Sequence, residues 1–227
     1  MFIGHYGPSF LAKRAEQAIP LWVLFLAVQL LDVFWAVFVL LGVESVRIVP
    51  GFTKTNALDL YYMPYTHSLP GALAWALLAG VAYSLVSRSK RGGRLVGLAV
   101  FSHWPLDFLV HRPDLALYDN AAKVGLGLWD YPLVTLAAEG ALVLGGLAIY
   151  MSRTTARTGA ARHAMPLFLC AGLGLQAAMA SAPPPSSDTA MAVTALVAYA
   201  LLAGGIGWLE KGRIALAEEN RRRVARS

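Results

Sequence analysis

Residues 102–111 read SHWPLDFLVH, a segment apolar enough to lie in a membrane that nevertheless sets His103, Asp107 and His111 four residues apart. With 3.6 residues per turn, positions at that spacing drift only about 40° per step around a helix, so the three side chains share one stripe. An Asp at the centre of a membrane helix costs about 2.5 to 3.5 kcal/mol on insertion scales. The stripe therefore predicts partners elsewhere in the chain, and its apolar setting predicts a membrane protein.

The rest of the sequence agrees on the class. Of 227 residues, 57% are hydrophobic and only 14% are charged, and the mean hydropathy is +0.56. These values are too apolar for an ordinary soluble domain. No secretory signal is expected, because the first long apolar run exceeds a signal core and no small-residue cleavage site follows it. Cys170 is the single cysteine, which excludes an intramolecular disulfide framework and any cysteine-based zinc site. A metal would have to be held by His and carboxylates. The net charge of +6 sits in connections and the tail, where it reports topology rather than nucleic-acid binding.

Six segments are predicted to span, at about 20–43, 67–87, 94–111, 131–151, 164–181 and 190–209; a hydrocarbon core of roughly 30 Å needs about 20 helical residues. The third and fifth are short, and Pro105 is expected to kink the third. Lys13 and Arg14, the run Arg88 to Arg94, Arg153 to Arg162, and Lys211 onward alternate with connections poorer in base, which places both termini in the cytoplasm. The expected fold is an all-α polytopic bundle, a single membrane domain over 1–210, followed by a basic cytoplasmic tail at 211–227. The tail's RRRVARS reads as positive-inside bias with attraction to anionic lipid. The first 12 residues carry no Lys, Arg, Asp or Glu, and Pro8 suits the first turn of a short helix. If that helix is re-entrant rather than interfacial, His5 rises toward Asp32; such backbone is tolerated at depth only when protein surrounds it or a cavity adjoins it.

The topology sets Asp32 in QLLDVFW, His67 in YTHSLPG and Glu139 in LAAEGAL in the same middle-to-outer zone as the opening stripe. Left unpaired, Asp32, Asp107 and Glu139 would together cost on the order of 8 to 10 kcal/mol, so they should converge. Metal binding or catalysis is one reading of the convergence, and a structural polar network is the other. His163, in the Arg-rich SRTTARTGAARHA, reads as a solvated or headgroup-facing side chain. Arg112 and Lys123 flank the outer mouth, where they either snorkel to headgroups or hold an anionic group of a substrate. The last two spans contain CAGLGLQAAMASA and ALLAGGIG and no ionisable residue in their interior. Residues 160–210 are therefore expected to be two scaffold helices, suited to close packing or a homodimer, with the metal-site core confined to 1–150.

MFIGHY, the His67–Ser68 pair, and SHWPLDFLVHRPD through KVGLGLW resemble the bacterial inner-membrane proteins known as membrane-bound metal-dependent hydrolases, over roughly residues 1–150. That resemblance implies a metal site at His5, Asp32, His67, His103 and Asp107, with His111 and Glu139 as further members. A looser likeness is to the alkaline ceramidase group, seven-span enzymes with an intramembrane zinc held by histidines, from which the His and Asp order and the span count here depart. The expected activity is hydrolysis of a lipid or other amphiphile near the outer leaflet of the inner membrane. A divalent cation, zinc before iron or manganese, would lower the pKa of a water to around 7. His67, His103, and His111 or His5 would ligate with Asp107, while Asp32 or Glu139 acts as general base or holds a second ion. The alternatives are a transporter of ions, protons or small solutes using the same residues, or a non-catalytic membrane scaffold. Membrane lipid is the expected partner, and nucleic acid is not.

Overall fold

The structure, a computed structural model, describes residues 2–216; Met1 and residues 217–227, which hold most of the expected basic tail, lie outside the described residues. The chain opens with a 3-10 turn, Ile3–Tyr6, that runs directly into α1, Gly7–Ala15. Pro8 stands in the first turn of α1, where a backbone N–H has no intrahelical partner to lose. Ile3 to Gly7 are all buried, so this turn lies inside the protein. Burial is completed by Tyr6 stacked on Phe25 at 4.3 Å and Phe10 edge-on to the same ring at 5.6 Å.

Helices α2, Leu21–Val28, and α3, Leu30–Leu40, meet at Gln29 with a bend of 56°. Strands β1, Ser45–Ile48, and β2, Leu58–Tyr62, follow as an antiparallel ribbon with Ile48 opposite Leu58. Ser68 then caps α4, Leu69–Ser87, by accepting from Gly71 N at 3.1 Å, which satisfies one of the orphan donors of a helix start. Helices α5, Lys90–Phe101, and α6, His103–Val110, are separated at Ser102. A second ribbon, β3, Leu115–Tyr118, with β4, Ala121–Val124, leads to α7, Pro132–Met151. Strand β5, Thr154–Ala156, precedes α8, Gly159–Met179, and α9, Asp188–Glu210, and pairs with β6, Arg213–Ala215.

Two expectations need correction. The protein is mostly helical but not all-α, because three two-stranded ribbons close its ends among the described residues. Nor are six spans confirmed: among the described residues, α4, α7 and α9 are long and apolar enough to cross a membrane, and the bent pair α2–α3 makes a fourth if taken as one span. The expected span at 20–43 breaks at Gln29. The one at 94–111 is divided between α5 and α6, and Pro105 supplies the reason: it has no N–H for the carbonyl of Phe101, and its ring crowds that carbonyl, so the helix is interrupted just before it. Helix α8 has 21 residues but carries Arg162 and His163 near its start, which lowers its apolar character.

The outward face of α4 fits hydrocarbon. Leu73, Leu77, Leu78, Val81, Leu85 and Val86 are all exposed, Val86 at 87%, an apolar stripe that would be an association surface on a soluble helix. The two ends of the bundle are unlike. At one, Lys13 pairs with Glu210 at 2.5 Å, Arg91 donates to Ala15 O at 2.7 Å, and β5 pairs with β6. At the other, ribbons β1–β2 and β3–β4 are tied together by Lys123 and Asn120 donating to Tyr61 O and by Thr55 donating to Trp129 O. Beneath these ribbons Trp35, Val46, Leu60, Met63, Leu115 and Met191 form an apolar cluster that covers the polar residues described next.

Candidate metal centre

Four parts of the chain bring the site together. The 3-10 turn supplies His5, α3 supplies Asp32, the residue before the Ser68 cap is His67, α6 carries His103 and Asp107, and His111 ends α6. The opening stripe is real, since His103, Asp107 and His111 face the same interior. All but Asp32 are buried. Asp107 is the hub: its Oδ2 lies 2.9 Å from His103 Nε2 and 3.7 Å from His67 Nε2, while its Oδ1 lies 3.3 Å from His5 Nε2 and 3.6 Å from His111 Nε2. Asp32 Oδ1 lies 3.2 Å from His67 Nε2 and 3.5 Å from His103 Nε2. His5 meets Asp107 and stacks on His103 with ring centroids 3.8 Å apart, in place of the contact with Asp32 that a re-entrant first helix implied.

The far side of each ring fixes which nitrogen faces inward. His103 Nδ1 is 2.8 Å from Val28 O, and a carbonyl only accepts, so Nδ1 carries the proton. That carbonyl belongs to the last turn of α2, which the break at Gln29 leaves without an intrahelical donor. His111 Nδ1 is 2.8 Å from Asp114 Oδ1, again an acceptor. Thr66 Oγ1 donates to Glu44 Oε2 at 2.7 Å, so its oxygen accepts from His67 Nδ1, also at 2.7 Å. Glu44 is itself buried and accepts from Tyr65 N and Thr66 N at 2.8 and 2.9 Å. In the neutral rings, then, three Nε2 lone pairs point at carboxylate oxygens.

Lone pairs that face carboxylates this closely repel unless a cation lies between them. His103 Nε2, although 2.9 Å from Asp107 Oδ2, makes no hydrogen bond of acceptable geometry among the described residues. Protonating every ring would stack two imidazoliums at the His5–His103 contact, which Coulomb repulsion opposes in a buried setting. Two ligands bound to one ion at 2.0–2.2 Å with tetrahedral geometry stand about 3.3 to 3.6 Å apart. The observed separations fall around that value, and two groups close within 4.8 Å: His5, His103 and Asp107, and Asp32, His67 and His103. The donor set therefore fits a divalent cation. Outer partners on Nδ1 are the usual companions of metal-bound imidazoles.

The remaining predicted residues lie outside this set. Glu139 Oε2 accepts from Phe2 N at 3.0 Å and Gly4 N at 2.9 Å, which anchors the turn that carries His5. Arg112 donates to Phe52 O at 2.7 Å and lies over the Phe52 ring at 5.0 Å; Lys123 is committed to Tyr61 O at 2.7 Å. Both stitch the loops around the ribbons β1–β2 and β3–β4. Residues 160–210 contribute more than scaffold: Tyr199 donates to Asp32 Oδ2 at 2.9 Å, and Gln176 Oε1 accepts from Ile3 N at 3.1 Å. Glu44, Thr66, Asp114 and Tyr199 are neighbours of the cluster that the sequence does not pick out. A lone Tyr and a lone Gln in otherwise apolar helices are the sequence signals for the last-span contacts, and HRPD is the signal for Asp114.

Fold and site together define a mostly helical protein with helices long and apolar enough to cross a membrane and a buried His–Asp cluster able to hold a metal ion. Comparison with protein-family models, curated proteins and solved structures gives no match.

Proposed function

We propose that the protein is an integral membrane metalloenzyme that hydrolyses an amphiphilic substrate, as the sequence resemblance to membrane-bound metal-dependent hydrolases implies. The observation that carries this reading is the aim of the His67, His103 and His111 Nε2 atoms at Asp32 and Asp107, each ring tied back through Nδ1. His67, His103 and Asp107, with Asp32, His5 or His111, would hold the ion, and a set of imidazole and carboxylate suits zinc, with iron or manganese as alternatives. A divalent cation there supplies Lewis acidity and an activated water.

The chain's own residues supply the rest. Asp32 has a side chain 17% exposed, against 4% or less for the other five, so a substrate reaches Asp32 first. It is the group best placed to take a proton, while Tyr199 on its Oδ2 fixes the orientation of the carboxylate. The ribbons over the cluster exclude bulk water, and the apolar flanks favour entry of a lipid-like substrate from the bilayer. The base-rich connections lie at the opposite end of the bundle from these ribbons, which supports a cytoplasmic basic end and a site toward the outer leaflet.

Elemental analysis of the detergent-purified protein tests the reading, combined with turnover of ester, amide and phosphoester amphiphiles. A divalent metal in stoichiometric amount is expected, reduced severalfold or more in His103→Ala and Asp107→Asn while both variants stay folded, as is the usual scale for losing a direct ligand or its partner. Metal-free wild-type protein with normal folding would remove the basis of the proposal. Bound metal without turnover of any amphiphile would leave the centre a structural one.

A further inference from the structure

A second polar site lies at the basic end, at the far end of α1 from the His–Asp cluster. A cavity of about 190 Å³ there is lined by Arg14, Tyr150, Arg153, Thr154, Glu210 and Arg213 among others. An adjoining hollow of about 260 Å³ shares Arg14, Gln17 and Arg153 with it and adds Leu11, 47% exposed, at its rim. The two form one trough with a basic floor and an apolar lip.

The charges in the trough do not cancel. Glu210 is paired with Lys13 at 2.5 Å, and Lys13 also donates to Gln17 O and Ile19 O at 2.7 Å each. Among the described residues, Arg14, Arg153 and Arg213 have no carboxylate within ion-pair distance. Arg213 is the built part of the site: only 8% exposed, it directs Nε to Thr154 Oγ1 at 2.9 Å and Nη2 to Thr154 O at 3.0 Å. Its Nη1 has no hydrogen-bond partner among the described residues. A buried guanidinium nitrogen left unpaired is costly; the planar donors of arginine match the oxygens of a phosphate or a carboxylate, and three arginines without a carboxylate partner around one trough suit the higher charge of a phosphate.

We infer that this trough binds a phosphate group, through Arg213 at its base and Arg14 and Arg153 at its rim. The chemistry is shared by a phospholipid headgroup, whose chains would leave past Leu11, and by free phosphate. The site is independent of the metal centre and of the hydrolase reading.

The test uses the full chain in maltoside micelles, with thermal protection measured against phosphatidylglycerol, against diacylglycerol as the phosphate-free control, and against inorganic phosphate. Phosphatidylglycerol is expected to protect and diacylglycerol not to. Arg14→Gln combined with Arg153→Gln, both at exposed positions, should keep the fold and raise the half-protecting concentration about tenfold or more, the scale of losing charge-assisted bonds. Arg213→Gln should abolish protection if it folds; the exposed double variant keeps the test decisive if it does not. Protection by inorganic phosphate as well would identify the phosphate alone as the recognised group, and protection by the lipid only would identify a headgroup site; either supports the inference. No protection of the wild type by either phosphate probe, or equal protection of wild type and double variant, overturns it.

Discussion

Tyr199 donates its hydroxyl to Asp32 Oδ2 at 2.9 Å, joining α9 to α3 across 167 positions of the chain. The bond leaves Oδ1 turned toward His67 and His103, so the tyrosine orients the carboxylate without itself approaching the imidazoles. Tyr199→Phe keeps the buried ring and removes only the donor. Bonds to charged groups contribute about 1.5–3 kcal/mol, and loss of an outer partner typically lowers metal affinity 10- to 100-fold. The variant is expected to fold, to bind metal about tenfold more weakly, and to lose more activity than an equally buried change such as Ala203→Gly. Competition titration with a chelator reads the affinity; unchanged binding and turnover would show that Asp32 needs no such orientation.

The Glu44–Thr66–His67 chain makes a second, separable prediction. Thr66→Val is nearly isosteric but removes the hydroxyl that accepts from His67 Nδ1 at 2.7 Å. It also leaves Glu44 Oε2 without the Thr66 donor. Free to adopt the other tautomer, His67 would present N–H rather than a lone pair to Asp32, and metal affinity should fall by about 10- to 100-fold. Glu44→Ala should do less to affinity and more to stability, because Oε1 also accepts from Tyr65 N and Thr66 N just before α4, and alanine leaves both N–H groups unpaired. The reverse ranking, with Glu44→Ala the worse for affinity and harmless to stability, would move Glu44 into the centre itself.

The parts of this arrangement legible from sequence share one property: they are local. The i, i+4 spacing of His103, Asp107 and His111 lies on one helix, and an Asp, a Glu or a His in an apolar run is visible against its neighbours. Convergence of Asp32, His5 and His67 on that stripe follows from the cost of leaving them unpaired. The features that sequence does not reveal are long-range or irregular. No Pro or Gly marks the break at Gln29, and LAVQLLDVF reads as uninterrupted helix. The break exists because Val28 O is needed by His103 and Gln29 Nε2 donates to Phe2 O at 3.4 Å, contacts no window of sequence contains. The ribbons at 45–62 and 115–124 lie in connections whose clearest sequence signal is charge. The apolar run around Glu139 draws it to the interior, but depth alone does not distinguish a carboxylate aimed at an ion from one holding backbone N–H groups.

Glu139 itself discriminates between those two roles. As an anchor it needs only an acceptor for Phe2 N and Gly4 N, which a glutamine carbonyl also provides; as a general base it needs the ionised carboxylate. Glu139→Gln is therefore expected to retain most activity and metal. Glu139→Ala leaves two N–H groups unpaired, at about 1–3 kcal/mol for a buried donor, and should loosen the turn that presents His5. Hydrogen exchange at Ile3–Tyr6 should rise in the alanine variant and not in the glutamine one. Complete loss of activity in Glu139→Gln with normal exchange would assign it the catalytic role instead.

The seat of His5 depends equally on Gly146. A Cβ there would stand 2.6 Å from Gly7 O and 3.1 Å from Gly7 Cα, both backbone atoms that cannot rotate away, so any side chain must push α1 off α7. The neighbouring Gly145 is exposed, and a Cβ on it would meet nothing within 4 Å. Gly145→Ala should thus be neutral or stabilising by up to about 1 kcal/mol, the helix-propensity gain. Gly146→Ala gains the same propensity but meets the clash, and overpacking of this kind costs about 1–3 kcal/mol. Because α1 begins where the 3-10 turn ends, the displacement would carry His5 away from Asp107 as well as lower stability. The Gly146→Ala protein should therefore melt earlier and hold metal more weakly, with Gly145→Ala like the wild type in both. Equal behaviour of the two alanines would mean that α1 does not rest on α7 as described, and that His5 owes its position to the Glu139 and Gln176 bonds alone.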